Sequence, residues 1–412
     1  MQIPFALPVI DQDVINEMMD TLTNTGWLTS GPKTKLLEKE VIKLTGAPQA
    51  LCVNSWTSGA MLMLRWLGIG PGDEVIIPAY TYSATALCAM NMGAIPVMVD
   101  VKDDFNIDAD LIRKAITPRT KVIIPVDIGG WPCDYDKLYA LVNDPEVKAL
   151  YRPDSEKQKQ LGRILLLADA AHSIGATYKG RQSGTQADVS VFSFHSVKNV
   201  TTGEGGAICL TLPPPFDNEE EYKFLSYLAL NGQTKSAFEK NQAGGWRYDI
   251  VAQGLKVNMP DVCAAIGLAQ IRKYNAVLLP ERKKIFQQYN KAFSRTDWAI
   301  LPNFEDDEKS SSCHLYQLRI KDMTEAGRDE IIRHITKQGV GVNVHYIPMA
   351  CLTLFKERGY KIGNYPNTYR LFQNEISLPI YNGLSPEMVD YVITAVVKAY
   401  EAVIEKKQSY VQ

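Results

Sequence analysis

Short apolar runs rich in Val, Ile and Leu recur through the first half of the chain, each closed by a turn and most followed by a helical pattern. Glu74–Pro78 precedes a predicted helix over Ala84–Met90. Pro96–Asp100 precedes one over Asp108–Ile116, and Val122–Val126 one near Tyr135–Val142. Further runs lie at Ala50–Val53, Ile164–Ala168, Val189–Phe194 and Ala207–Leu210. Apolar strands alternating with helices predict an α/β domain built on a mostly parallel central sheet, with helices covering both faces.

After about Val257 the pattern changes. Helices are predicted over Pro260–Ile271 and Pro280–Phe293, then a strand at Leu315–Ile320 and a helix at Glu325–Gln338. A strand at Val340–His345 and a closing helix at Pro386–Ile404 complete an α+β tail. The expected division is a large domain over residues 1–270 and a smaller C-terminal α+β domain over 271–412. Tyr151–Leu161, rich in charge and Gln, reads as an inserted surface segment. Glu219–Glu221 reads as a short solvated acidic run.

Composition narrows the function classes. A formal net charge of −2 over 412 residues gives no broad attraction to nucleic acid or to anionic membrane. No apolar stretch reaches membrane-spanning length, and the N-terminus lacks the basic start and cleavage site of a signal peptide. Seven scattered cysteines argue against a disulfide framework and for a reducing, cytoplasmic setting. The five histidines show no paired metal-ligand spacing, so no metal site is expected.

Three segments carry candidate chemistry, each where a strand ends or a helix begins, the edge at which open α/β sheets gather ligands. Asn54-Ser55-Trp56-Thr57-Ser58-Gly59 opens a helix with hydroxyl residues. They can cap that helix or bind a phosphate at its N-terminus, and alone the segment fits either. Asp169 ends the run Ile164–Ala168. It can cap the next helix, or it can face a positive partner that offsets its burial, such as a protonated pyridine nitrogen. Lys198 comes just after Val189–Phe194 and before the Gly-rich turn Gly203-Glu204-Gly205-Gly206. A lone lysine is usually a solvated charge, whereas a desolvated one offers a neutral amine for imine formation. Asp169 and Lys198 at neighbouring strand ends favour the chemical reading for both. Ser193 and His195, two apart, are expected to face the same side.

Asp169-Ala170-Ala171-His172, Ser193-Phe194-His195-Ser196-Val197-Lys198 and Asn258-Met259-Pro260-Asp261 closely resemble motifs of the DegT/DnrJ/StrS family of sugar aminotransferases. The likeness runs from Gly26–Pro32 to Ile376–Tyr381. It implies the fold type I architecture of pyridoxal 5′-phosphate (PLP) enzymes and a homodimer with shared active sites. It implies Lys198 as the Schiff-base lysine, Asp169 on the pyridine nitrogen and Tyr82 stacked on the ring. Thr57, Ser58 and Ser193 match phosphate contacts, and His172 a position beside the ring's phenolic oxygen. Lys256 and Asn258 fall where the family draws a phosphate contact from the neighbouring subunit.

Two departures stand out. Asp127-Ile128-Gly129-Gly130 replaces a frequent His-Leu-Tyr-Gly, and Tyr346-Ile347-Pro348-Met349-Ala350 replaces a frequent Tyr-x-Pro-x-His. Both regions lie near the substrate in the family, so the resemblance leaves the sugar open. The expected reaction moves an amino group from an amino-acid donor, L-glutamate, to a nucleotide-linked ketosugar, with a UDP-4-keto-6-deoxyhexose preferred. A keto-cyclitol acceptor is the alternative, and a non-catalytic PLP-fold regulator the reading from a different class.

Overall fold

The computed structural model describes residues 1–409. Seven strands form the main sheet: β1 (Gln49–Val53), β2 (Glu74–Pro78), β3 (Ile95–Val99), β4 (Thr120–Ile123), β5 (Leu165–Asp169), β6 (Val189–Ser193) and β7 (Gly206–Leu210). Their spatial order is β1-β7-β6-β5-β4-β2-β3. The pairs from β6 through to β3 are parallel, and β7 runs against both of its neighbours. Topology explains the exception. A parallel return needs a crossover, usually a helix, and the Phe194–Gly205 link contains none. The expected α/β architecture, with its mainly parallel sheet, is the one observed.

Alternation along each strand divides the core. Val75 and Ile77 of β2, Leu165 and Leu167 of β5, and Val189 and Val191 of β6 pack with the helices Trp56–Leu67 and Ala84–Asn91. On the opposite face, Ile76, Ile123 and Leu166 meet the helix Tyr135–Asn143. Phe192, Ala207 and Cys209 meet the helices Pro32–Thr45 and Asp261–Ile271. Fully burying each Val, Ile or Leu contributes about 1.5–3 kcal/mol. The sheet is therefore a stiff platform for the loops at its carboxyl edge.

The C-terminal part gathers a separate core around Phe286, Tyr289, Leu318, Ile331, Ile376 and Val392, which also takes in Ile3 from the N-terminus. Its sheet joins Ala299–Ile300, Tyr316–Ile320 and Glu375–Leu378. Further residues return to the main sheet: Met349, Phe355 and Tyr365 join the core beneath Trp56–Leu67, and Phe372 packs near Tyr80 and Val126. That return fixes the Val344–Pro348 loop above the edge of the sheet.

Several expectations are corrected. Val340–His345 is not a strand. It makes only isolated bridges, Ile3 with Val340 and Asn343 with Ser377. Backbone bonds from Ile3 to Gly339 and from Gly341 to Ile3 occupy one side, and the chain then bends toward the carboxyl edge of the main sheet. The strand partner of Tyr316–Ile320 is instead Glu375–Leu378. β4 stops at Ile123, short of the predicted Val126, since Pro125 has no N–H to continue the ladder. Glu219–Glu221 is the first turn of a helix, Asn218–Leu228. Glu221 is buried there, accepting from Trp66 Nε1 at 2.7 Å and pairing with Lys157. Tyr151–Leu161 does lie at the surface, with only Tyr151 and Gln158 buried, and Ser155 Oγ and Gln158 Nε2 donate to Leu67 O, so it also caps the end of Trp56–Leu67.

Candidate active site

Because all strands but β7 run one way, the ends of β1, β2, β5 and β6 meet at one edge with the start of β7. They open into a cavity of about 510 Å³, lined among others by Thr57, Tyr82, Asp169, His172, Ser193 and Lys198. Six residues singled out from scattered parts of the sequence thus share one space. Its volume lies in the ordinary range for small-molecule sites.

Asp169 ends β5 and is buried. Thr85 Oγ1 donates to its Oδ2 at 2.9 Å, and the Ala171 N–H to its Oδ1 at 3.2 Å. Neither donor brings a full charge. Burial pushes its pKa up to about 7, against the Thr85 and Ala171 hydrogen bonds and the Lys198 charge. An acid held this way favours a cation delivered by a ligand. The turn after β5 is not a helix, so the capping alternative for Asp169 does not apply.

Lys198 sits in the turn after β6, where its N–H donates to His195 O. Burial lowers its pKa to about 8, opposed by the charge of Asp169. Among the described residues no salt bridge engages its amine, which lines the cavity. Neutral amine is therefore accessible near physiological pH.

The helix Trp56–Leu67 points its N-terminus at the same cavity. Ser55 is its cap, accepting from the Ser58 N–H at 3.0 Å. Ser55, Trp56, Thr57 and, across the sheet, Ser193 line the wall. Ser58 does not. Its hydroxyl is engaged with Ser55 Oγ at 2.9 Å. Open N–H groups and hydroxyls around a helix start suit a phosphate. Gly206 makes this approach possible: a Cβ there would lie 2.6 Å from Phe192 O and 3.0 Å from Trp56 N. Gly206→Ala is expected to cost about 1–3 kcal/mol of stability and to displace the helix start. A thermal melt should register the first effect and weakened phosphate-dependent cofactor retention the second.

Tyr82 is 61% exposed at the mouth, its ring 5.8 Å from that of Tyr346, an open aromatic face with no apolar cover. His172 is buried, its ring tilted by 37° against that of His314 with centroids 4.3 Å apart. Burial, reinforced by the Lys198 charge, keeps its pKa well below the usual histidine range. Gly129 N–H donates to its Nδ1 at 3.2 Å, so the neutral ring carries its proton on Nε2 and donates to Tyr346 Oη at 3.0 Å.

The Asp127–Gly130 departure is thereby accounted for. Asp127 is buried, accepting from the Cys133 N–H, Tyr135 Oη and Ser173 Oγ. Gly130 has φ 93° and packs where a Cβ would meet Ser312 Oγ. That turn supports His172 from behind, and only the preceding Val126 reaches the cavity wall.

Lys256 and Asn258 do not line the cavity of their own chain. Lys256 Nζ donates to Asn258 Oδ1, and Asn258 Nδ2 to Ser30 Oγ at 2.6 Å. His195 does line it, as expected from its alternation with Ser193. Sequence reasoning passed over Thr85, His314 and Phe5, which reach the wall together with His345 and Tyr346 of the segment already placed near the substrate. Only Thr85 left a local sign, being one helical turn after Thr81, to which it is hydrogen-bonded. The others arrive through tertiary folding.

Comparison with known proteins agrees with this geometry. Residues 9–151 and 156–397 match the model of the DegT/DnrJ/EryC1/StrS aminotransferase family. The omitted residues fall inside the segment read as an insertion. The chain is similar to a putative sugar aminotransferase, Spr1654 from Streptococcus pneumoniae, solved in its PMP form, at 43% identity and a TM-score of 0.93. That match covers 98% of this chain and 100% of the other. It is 36% identical to the spore coat polysaccharide biosynthesis protein SpsC of Bacillus subtilis over 96% of each. It also resembles Helicobacter pylori PseC, an aminotransferase involved in the biosynthesis of pseudoaminic acid, at 25% identity and a TM-score of 0.82, covering 98% and 100%. With a half-buried amine and a buried carboxyl facing one cavity and a family match along nearly its whole length, the chain belongs to the DegT/DnrJ/EryC1/StrS aminotransferase family.

Proposed function

We propose that this aminotransferase moves an amino group from an amino-acid donor, L-glutamate, to a nucleotide-linked ketosugar, preferentially a UDP-4-keto-6-deoxyhexose, for amino-sugar and surface-polysaccharide synthesis. The observation that carries the reading is the single cavity shared by Lys198, Asp169 and the N-terminus of Trp56–Leu67. Relatives named as sugar and polysaccharide enzymes support the sugar.

The cofactor of the family is PLP, which supplies an aldehyde that holds amino groups and a ring that withdraws electrons. The residues present fit it. Asp169, buried without a cation of its own, would hold the proton on the ring nitrogen, steadied by Thr85 and Ala171. Lys198 Nζ would bond the aldehyde carbon and, once displaced by a substrate amine, carry the proton between the reacting carbons. Tyr82 would cover one ring face. Thr57, Ser58 and Ser193 would receive the phosphate, Thr57 and Ser193 by hydroxyls at the wall and Ser58 from the first helical turn. His172 would lie beside the phenolic oxygen. Lys256 and Asn258 would serve the phosphate of a second copy's site, making the enzyme a homodimer. Their position outside their own cavity supports this.

Two domains, residues 1–270 and 271–412, accord with the separate C-terminal core. A cytoplasmic location accords with seven unpaired cysteines. Among the described residues no helix is long and apolar enough to cross a membrane.

The test is a half-reaction followed by a panel. L-Glutamate should shift the visible absorbance of the holoenzyme. Ketosugar nucleotides, with UDP-4-keto-6-deoxyhexoses foremost, should restore it. Restoration by keto-inositols alone would replace the sugar reading with the cyclitol one, and no shift with any amino acid would sink both.

A further inference from the structure

Behind the cavity lies a buried carboxyl that none of these steps uses. Glu375 starts the strand Glu375–Leu378 and has no exposed surface. Its Oε2 accepts the His345 N–H at 3.0 Å, and its Oε1 is in short contact with Ser377 Oγ. Ser377 Oγ in turn lies 2.9 Å from His345 Nδ1. His345 lines the cavity, its ring held against Phe5 at 5.4 Å and an interplanar angle of 28°. With Nδ1 tied back to Ser377, Nε2 is the nitrogen on the cavity side.

A hydrogen-bonded chain of this kind has two polarities. With Glu375 neutral, its O–H donates to Ser377 Oγ, Ser377 donates to His345 Nδ1, and the imidazole proton sits on Nε2. With Glu375 ionised, each bond reverses and Nε2 becomes a bare lone pair. Among the described residues no cation touches the carboxyl oxygens: the Arg328 guanidinium donates to the backbone carbonyls of Phe372 and Glu375 instead. A buried carboxyl without a paired charge favours its neutral form. We propose that Glu375 and Ser377 are positioning residues that fix the His345 tautomer, so that His345 Nε2–H donates to an oxygen of the acceptor sugar.

Several groups face this chain. Arg319, from the paired strand, and Arg328 draw the Glu375 pKa down, while Tyr80 and Tyr346 lie nearby. Burial outweighs the hydrogen bonds from Ser377 and the His345 N–H as well as both arginines, and leaves it at about 8. Lys198, His172 and His314 face His345, and burial together with the Lys198 charge lowers its pKa to about 3, so the ring stays neutral. The raised carboxyl pKa gives the sign. Below about pH 8 the relay presents a donor, and above it an acceptor that repels a carbonyl or ether oxygen.

The substrate half of this inference rests on the ketosugar reading, and the tautomer half does not. The holoenzyme labelled with ¹⁵N-histidine contains only five such residues, and His345→Gln assigns the relevant signal. At pH 6.5 the His345 proton should be on Nε2, moving to Nδ1 by pH 9.5. Glu375→Gln should hold it on Nε2 throughout, and Ser377→Ala should abolish the pH-driven exchange. A proton on Nδ1 at pH 6.5 in the unmodified enzyme would overturn the relay. In kinetics, the acceptor KM should rise about fivefold between pH 7 and 9.5, with the donor KM unchanged, and should stay flat in Glu375→Gln. Parallel KM profiles for the two enzymes, with the tautomer behaving as described, would remove His345 from the sugar site while leaving the relay.

Discussion

Lys198→Ala is expected to lower turnover by about 10⁴-fold or more, with PLP still bound through its phosphate and ring contacts but no longer covalently attached. The argument begins with the amine's protonation. At the ordinary lysine pKa about 0.03% would be neutral at pH 7, whereas a pKa of about 8 makes roughly 10% neutral. The fold supplies that change through burial, and Asp169 only partly opposes it. The same pKa fixes a pH dependence. Rising pH removes the proton, so covalent capture of PLP by the apoenzyme should quicken about tenfold per pH unit up to about 8 and then level off. Stopped-flow absorbance reads this directly. Lys198→Arg separates charge from nucleophile: it keeps a cation near Asp169 but has no neutral amine to offer. Its turnover should fall as far as that of the alanine variant. Appreciable turnover in either variant would remove Lys198 from the chemistry.

The sequence made the catalytic edge readable because strand ends are local features. Asp169 and Lys198 each follow an apolar run, and a parallel sheet brings such ends to one side without further information. The Gly205-Gly206 turn reads equally well, since its need for close backbone approach is met by glycine alone. The wall supplied by the C-terminal half was harder to see. His345 and Tyr346 lie in a segment whose β-branched run, Val340–Val344, has strand propensity. The N-terminal Ile3 takes up its edge and the segment then bends into the cavity. Tertiary pairing overrode propensity there. Glu221 shows the same limit for charge. An acidic triplet looks solvated until a Trp66 N–H and a lysine, both distant in sequence, are brought to it. Ser58 shows it for hydroxyls: four polar residues at a helix start cannot all face outward, and the cap takes two of them.

Asp169→Asn is expected to cut turnover by about 10³-fold while leaving the fold intact. The amide keeps the shape of the carboxyl. Its oxygen can still accept from the Ala171 N–H, and its NH₂ can donate to Thr85 Oγ1, which reverses its bond with Thr81. What disappears is the negative charge that would hold a proton on the pyridine ring, so the loss should fall on kcat more than on KM. Stability should move the opposite way in the apoprotein. Burial raises the Asp169 pKa from 3.8 to about 7, so between those values the folded chain binds a proton that the unfolded chain has released. Stability contributed by this group is present below the unfolded value and is lost as pH rises through about 7. The asparagine variant carries no such penalty, and its apo form should be more stable than the unmodified apoprotein at pH 8 by roughly 2–4 kcal/mol. Binding PLP should narrow or reverse that gap, because only the carboxylate gains a cationic partner. Melting curves at pH 5 and pH 8, with and without PLP, supply the four values needed. An apo variant that is less stable at pH 8 would mean the carboxylate is already neutralised by the protein, and Asp169 would lose its assignment as the partner of a cationic ring.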